Sequence, residues 1–173
     1  LLPLKFFLKI PRLAIDKNKK KNDVSCRMGL NYSKETVAFQ RKKISEILKG
    51  SYQFKKVSRR IYFQELKKSK ILISPFGYGE INLKDFEAFF YSCLLFKANM
   101  DHQETWPNFY LKDETYVDFN WNLNNFQNKL DHIIRNFEQY FEIANYANSL
   151  YNSYLHDKEY LEDFCIRLKN IFS

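Results

Sequence analysis

The stretch Ser74-Pro75-Phe76-Gly77-Tyr78-Gly79-Glu80 contains residue types that bring a ligand close to a protein backbone. The chain has only four glycines, and two of them lie here, one residue apart. A glycine permits a turn with positive φ, and its missing Cβ also lets a phosphate group approach the main chain. Two interpretations are therefore open: a turn that the chain itself requires, or a turn that leaves room for an anionic ligand.

Two glutamates follow these glycines. Glu80 closes the loop, and Glu87 lies in the middle of the next predicted helix, beside an apolar stripe that includes Phe86. A carboxylate next to a buried stripe needs a polar partner, and two vicinal hydroxyls of a ribose or a hexose would provide one. The alternative is a solvated glutamate or one that is paired with a lysine.

A third group of polar residues follows an apolar run, "CLLFK". It contains Asp101, His102, Glu104 and Thr105, and the nearby rings of Trp106 or Tyr110 are candidates for stacking on a base or a sugar. Because the carboxyl ends of parallel strands meet at one edge of a sheet, we expect loops 74–82 and 98–108 to open on the same edge. A lone histidine is often structural, so both a structural role and ligand contact are open for His102.

The elements that must position these residues alternate between strand and helix. Short apolar runs predict strands at 24–30, 71–74, 93–97 and 115–119, and apolar periodicity predicts helices at 33–50, 60–70 and 83–92. We expect Ser33 and Asn82 to be N-caps, with Asp85 completing a capping box, and Gly50 to end its helix. From Leu123 onward the pattern predicts three helical segments that break near residues 136 and 156. The alternation indicates an α/β fold with a parallel sheet and a helical C-terminus.

Composition narrows the class of protein. The 173 residues are 45% hydrophobic and 18% aromatic, enough for one domain with a substantial core. Three cysteines without a CxxC pair argue against a disulfide framework or a zinc site and favour a reducing compartment, so we expect a cytoplasmic protein without a structural metal or cofactor.

Charge is distributed unevenly along the chain. Residues 1–70 hold 20 Lys and Arg against 5 Asp and Glu, whereas residues 71–173 hold 8 against 15. The basic residues are spread over several elements without a base-stacking module, which disfavours nucleic acid and favours an anionic substrate or lipid surface.

The blocks SPFGYGE, KDFEA, ETWPNFY and ETYV occur in this order within residues 69–126, followed by a tryptophan. In the order of these blocks, this part of the chain resembles a bacterial glycosyltransferase-like family that includes exostosin-like and CgeB-like proteins. The resemblance implies the nucleotide-sugar-binding half of a GT-B glycosyltransferase, in which two Rossmann-like halves face each other across a cleft. We therefore expect residues 24–173 to form a nucleotide-sugar-binding Rossmann-like domain, with residues 1–23 as an N-terminal segment or linker.

The same resemblance implies a set of donor-binding residues and a candidate catalytic one. Gly77 and Gly79 would lie by the diphosphate, Glu87 would hold ribose or sugar hydroxyls, and His102 is also the candidate for catalysis. The whole implied donor-binding set is Ser74, Gly77, Gly79, Glu80, Lys84, Glu87, His102, Glu104 and Thr105.

Three departures from the family pattern concern this set. Lys84 stands where an arginine is usual, and Ala98 where a proline is usual. The six residues 81–86 separate Glu80 from Glu87, where seven are common in GT-B enzymes, so Glu80 departs from the spacing of that family.

The chemistry that the resemblance implies is not complete within these residues. Sugar transfer needs a stabilised diphosphate leaving group, and an inverting reaction also needs a general base on the acceptor hydroxyl. In the resembling family the base belongs to an acceptor-binding half, which would come from a longer chain or from a partner subunit. The expected partners are a nucleotide-sugar and a glycan or lipid-linked acceptor, with peripheral contact at the inner face of a membrane. The alternative function is a non-catalytic nucleotide-sugar-binding subunit.

Overall fold

The computed structural model describes residues 16–172 and shows a four-stranded parallel sheet with helices on both faces. The strands are β1 (Asn22–Ser25), β2 (Ser69–Ile73), β3 (Leu94–Ala98) and β4 (Tyr116–Phe119). The helices are α1 (Glu35–Ile47), α2 (Arg59–Lys68), α3 (Leu83–Tyr91), α4 (Phe126–Arg135), α5 (Phe137–His156) and α6 (Lys158–Phe172). A short 3-10 helix, Lys17–Lys19, precedes β1. The expected α/β class, with a parallel sheet and a helical C-terminus, is confirmed.

The order of the strands in the sheet is their order in the chain. β1 pairs with β2, β2 with β3 and β3 with β4, and every pair is parallel. The register places Ile71 opposite Leu94 and Leu95 opposite Tyr116. The central strands are mostly apolar because helices cover both of their faces, and Lys97, the one charged residue of β3, is fully buried.

A separate hydrophobic core lies on each face of the sheet. The first core receives Ile44 from α1 and Phe126 from α4, and the second receives Leu66 from α2 and Phe89 from α3. Helix α5 contributes to both cores, because Phe137 and Ala144 pack in the first and Ala147 in the second.

Several predicted helix ends are confirmed and two are wrong. The Asn82 and Asp85 capping box at the start of α3 is present, and the C-terminal helices break at Asn136 and after His156, as expected. Gly50 has a positive φ of 85°, but the C-cap of α1 is Leu48, two residues before the expected position. The prediction that Ser33 caps α1 is wrong: the N-cap is the next residue, and its side chain makes no capping bond.

The first strand is shorter and earlier than the predicted 24–30. It ends at Ser25, and the chain then leaves the sheet, so that the N–H of Met28 donates to Phe54 O instead of a strand neighbour. The alternating pattern continues past the strand because Cys26 and Met28 still pack in the first core. The alternating pattern of apolar residues therefore predicted burial correctly and strand pairing incorrectly. Residues 1–15 of the predicted linker, 1–23, lie outside the described residues. The last two residues of that predicted linker belong to β1.

Within residues 16–172, no helix combines the length and apolar character needed to cross a bilayer. The same part of the chain brings together no group of three His, Cys, Asp or Glu side chains that could ligate a metal ion.

Candidate functional site

A crevice opens at the carboxyl edge of the sheet between β1 and β2. The chain leaves β1 toward α1 on one face, and it leaves β2 toward α3 on the other face. Because these connections diverge, their loops separate and leave a space above the strand ends. The space measures about 790 Å³. Its walls are residues 27–29, 56–57, 62–63, 78–79 and 81–84, together with Tyr32, Arg41, Arg59 and Glu87. We call it the basic crevice.

The lining of the basic crevice is strongly cationic. One carboxylate, that of Glu87, lines it together with five basic side chains: Arg27, Arg41, Lys56, Arg59 and Lys84. Glu65 pairs with Arg27 at 2.8 Å, and no carboxylate of residues 16–172 forms an ion pair with the other four. Such an excess of positive charge in a concave site attracts anions.

Arg41 is the most deeply buried of these cations. Its Nε donates to Phe76 O at 2.6 Å, and longer contacts of 3.5 Å join the guanidinium to Pro75 O and Gly29 O. The ring of Tyr32 lies 4.9 Å from the guanidinium carbon. Burial lowers the pKa of Arg41, but a guanidinium keeps its proton at neutral pH. A buried cation that carbonyl groups and an aromatic ring hold, without a carboxylate, is poorly compensated and favours an anion beside it.

Lys84 and Glu87 from α3 are joined through Tyr62 of α2. The Tyr62 hydroxyl donates to Glu87 Oε2 at 2.9 Å, and Lys84 Nζ lies 3.3 Å from the same hydroxyl. Burial lowers the pKa of Lys84 to about 8, although the nearby Glu87 carboxylate acts in the opposite direction. The three side chains form a half-buried polar row along one wall of the basic crevice.

A second cavity, about 550 Å³, lies against the other side of the glycine loop, residues 74–82. We call it the aromatic cavity, because the rings of Phe76, Tyr78 and Trp121 line it together with Glu80 and Gln103. The Phe76 and Trp121 rings are 4.2 Å apart and tilted by 32°. Gly79 lines both cavities, so the two spaces meet at this residue.

The two predicted loops do open on the same edge of the sheet. His102 Nε2 lies 2.9 Å from Glu80 Oε2, and Gln103 donates to the same carboxylate oxygen. The His102 ring also meets Trp121 edge-on, with the centroids 5.3 Å apart. The structure therefore brings together Glu80 and His102, which are 22 residues apart in the chain.

The glycines are not required by the backbone conformation. Neither Gly77 nor Gly79 has φ in the left-handed region, so the interpretation that they supply positive φ is wrong. Beyond its chain neighbours, a Cβ built on Gly79 would come no closer than 3.9 Å to another atom, Ile81 O. A Cβ on Gly77 would lie 3.6 Å from Arg41. Since the protein has room for both side chains, the space at these positions is open to a ligand.

The N-terminus of α3 offers few free N–H groups to a ligand. Such groups can receive a phosphate where nothing else binds them. The Asn82 side chain instead accepts from Lys84 N at 2.9 Å, and Asp85 accepts from Asn82 N at 3.1 Å. Because the capping box satisfies these donors, side-chain cations rather than backbone amides provide most of the positive charge in the basic crevice.

A buried polar network lies behind the glycine loop. The Asp85 carboxylate accepts from Ser74 Oγ at 2.5 Å and from Tyr110 Oη at 2.7 Å. Lys97 Nζ lies 3.3 Å from Asp85 Oδ2, the oxygen that also accepts from Tyr110, and both charged side chains are fully buried. Burial lowers the pKa of Lys97, and Asp85 counteracts that effect. Ser74, expected in the donor-binding set, thus donates its hydroxyl to Asp85 of the capping box. Tyr110 is buried and is not available to stack on a ligand.

Glu104, Thr105 and Trp106 lie away from both cavities. Glu104 is exposed, and Thr105 donates to the Asn108 side chain at 3.3 Å. Trp106 stacks on Phe164 of α6, with the ring centroids 6.0 Å apart and an interplanar angle of 14°. The structure therefore gives these residues no direct place beside Gly79 or Glu87.

Sequence reasoning missed Arg41, Tyr62 and Trp121. Arg41 stands in the run "QRKK", which is typical of a solvated helix face. The signal that could have identified it is its position on the apolar side of α1, near Ile44. Tyr62 is 25 residues from Glu87, and no local pattern connects them. Trp121 follows β4 directly, a position that points to the carboxyl edge of the sheet.

Fold and site together define an α/β domain with an anion-attracting crevice at the carboxyl edge of a parallel sheet. No model of a known protein family matches the chain, and a search of curated proteins finds no significant match.

Proposed function

We propose that this chain binds a nucleotide-sugar and acts as the donor-binding half of a glycosyltransferase. One observation supports this proposal most directly: four basic side chains without carboxylate partners in the described chain converge on a crevice whose wall includes Gly79. A diphosphate carries the charge that such a crevice attracts, and it needs the close backbone approach that a glycine permits.

Arg41 and Lys84 would stabilise the leaving group. In glycosyl transfer the bond between the anomeric carbon and the diphosphate oxygen breaks, and negative charge develops on the diphosphate. Two cations that line the same crevice would interact with that charge more strongly than with the substrate. Glu87, held by Tyr62 at 2.9 Å, would accept hydrogen bonds from ribose hydroxyls on the same side.

The aromatic cavity would receive the sugar of the donor. Sugar rings stack on aromatic faces and bind carboxylates and amides through their hydroxyls, and this cavity offers Trp121, Glu80 and Gln103. Because Gly79 borders both cavities, a single ligand could place its diphosphate and its sugar on either side of that residue.

A non-catalytic nucleotide-sugar-binding subunit is the second candidate. It is favoured by the engagement of Glu87, the one carboxylate lining the basic crevice, with Tyr62, which leaves it poorly placed to deprotonate an acceptor. In the catalytic alternative an acceptor-binding half would supply the base, and the acceptor would be a glycan or a lipid-linked sugar. Hydrolysis or transfer of the donor sugar, measured with the full-length protein, distinguishes the two candidates.

The binding test uses two neighbouring arginines of α2. Arg59 lines the basic crevice, and Arg60 is exposed and does not line it. UDP, GDP and CMP are titrated calorimetrically into the wild type and into the Arg59→Met and Arg60→Met variants. We expect Arg59→Met to weaken nucleotide binding about tenfold and Arg60→Met to leave it unchanged, since both remove one charge but only one reaches the ligand.

Two outcomes contradict the proposal. No binding of any nucleotide by the wild type would remove the donor site altogether. An equal loss in both variants would show that the attraction is a general effect of net charge and not a property of the crevice.

A further inference from the structure

Lys97 and Asp85 form an ion pair that is completely shielded from solvent. The Lys97 ammonium lies 3.3 Å from Asp85 Oδ2, and both side chains are 0% exposed. Its other close neighbour is the ring of Phe76, whose centroid is 4.9 Å from Nζ. Of these two groups, Phe76 lies in the glycine loop and Asp85 lies in the first turn of α3, three residues beyond the loop.

Asp85 connects this ammonium to the two ends of the loop. Its carboxylate accepts from Ser74 Oγ at the start of the loop and from Asn82 N at the end. Asn82 then donates back to Pro75 O at 3.3 Å, which closes the loop on itself. Removal of the lysine charge would leave a buried carboxylate uncompensated at the centre of these contacts.

The opposite side of the loop is held by α1. Gln40 accepts from Phe76 N at 2.9 Å, and Arg41 donates to Phe76 O. Phe76 is thus fixed by α1 through its backbone and by Lys97 through its ring. A loop without helical or strand hydrogen bonds of its own depends on such contacts for a single shape.

We propose that the Lys97–Asp85 ion pair is a positioning pair that holds the glycine loop in its ligand-binding shape. Neither residue faces the basic crevice or the aromatic cavity, so neither acts by touching the ligand. The order of the loop follows from the geometry alone, whereas the consequence for nucleotide affinity rests on the proposed function.

A second buried lysine provides a matched control. Lys20 Nζ donates to Tyr91 O, at the C-terminal end of α3, at 2.6 Å, and lies 3.4 Å from Leu66 O, near the C-terminal end of α2. Lys20→Met and Lys97→Met each remove a buried ammonium beside the same helix, but at opposite ends. Both are expected to lower the melting temperature, and only Lys97→Met is expected to release the loop.

Hydrogen exchange of backbone amides, followed by mass spectrometry, reads the loop directly and needs no ligand. We expect Lys97→Met to accelerate exchange in residues 75–82 about tenfold or more while Lys20→Met leaves these residues protected. Nucleotide affinity, measured on the same samples, should fall about tenfold in Lys97→Met alone.

The Asp85→Asn and Lys97→Met/Asp85→Asn variants complete the test. If the pair acts as a unit, the double variant shows no more loop exchange than the stronger single variant, whereas independent contributions would multiply. The double variant also leaves no unpaired buried charge, so it provides the measurement if Lys97→Met does not fold.

Loop exchange in Lys97→Met that stays at the wild-type rate, that rises no more than in the rest of the domain, or that Lys20→Met reproduces, overturns the inference. Failure of the wild type to bind nucleotide would contradict the proposed function only, since the exchange measurement still decides the role of the ion pair.

Discussion

Replacement of Gly79 by alanine is expected to raise stability and weaken nucleotide binding at the same time. The φ of Gly79 lies outside the left-handed region, and the added methyl group would meet nothing nearer than 3.9 Å beyond its chain neighbours. Alanine loses less conformational entropy on folding than glycine does, a gain of about 0.4–1 kcal/mol at such a position. In a domain of this size the melting temperature should therefore rise by about 1–4 °C.

The same methyl group would stand where the two cavities meet. A phosphate oxygen that accepts a hydrogen bond from the backbone here would have to move outward, away from Arg41 and Lys84. We expect nucleotide affinity to fall at least tenfold, which corresponds to about 1.4 kcal/mol. Calorimetric titration with nucleotide gives the affinity, and thermal unfolding of the same sample gives the stability.

Gly50→Ala is the matched control for this substitution. Gly50 has a φ of 85° and borders neither cavity, so alanine there is strained, which should cost about 1 kcal/mol of stability and leave binding unchanged. Wild-type affinity in Gly79→Ala would refute the reasoning that the glycine makes room for a ligand. A lower melting temperature in Gly79→Ala would instead show that the protein itself requires the glycine.

Three further predictions concern charged residues. Glu87→Gln should weaken nucleotide binding about tenfold by calorimetry, because a charge-assisted hydrogen bond is lost, and Glu80→Gln should have a smaller effect on the nucleotide; equal effects would contradict this division. Because the pKa of Lys84 is about 8, its ammonium is lost as pH rises from 7 to 9, so nucleotide affinity should fall over that range in the wild type and not in Lys84→Gln. Burial alone would raise the pKa of Asp118, but hydrogen bonds from Lys129, Asn99 and Lys112 outweigh it and lower the pKa to about 2, below the usual 3.8. The native state thus favours the ionised carboxylate, and about 2 kcal/mol of stability that is present above pH 4 should disappear as pH falls toward 2. Urea unfolding should then show Asp118→Asn less stable than the wild type at neutral pH and equal to it near pH 2.

The elements with strong local signals were predictable from the sequence. The capping box of α3 and the C-terminal helix breaks depend on residues within one or two turns of each other, so their signals are local. Strand β1 was misplaced because burial of Cys26 and Met28 in the first core continues the alternation beyond the last paired residue. An edge strand has one partner only, and that partner, not the pattern, decides where pairing ends.

The candidate site was predictable only in part. The expectation that two strand-end loops meet is confirmed by the contact of Glu80 with His102, since parallel strands leave little choice of edge. The burial of Arg41 and Lys97 was not predictable from the local sequence. A charged run or a strand end that contains a basic residue reads the same whether that side chain is exposed to water or buried against polar groups of the protein. The environment of Arg41 and Lys97 depends on residues more than ten positions away in the chain.

Helix α5 has a consequence for how this domain folds. It completes both hydrophobic cores, and its Asn148 side chain donates to Phe89 O at 2.7 Å, inside the protein. A nascent chain that ended before Phe137 would have a sheet with apolar surface bare on both sides, even though all four strands had been synthesised. Because one late helix closes both faces, neither core can be completed before the other during synthesis. The domain should therefore gain its stability in a single step, after α5 has left the ribosome.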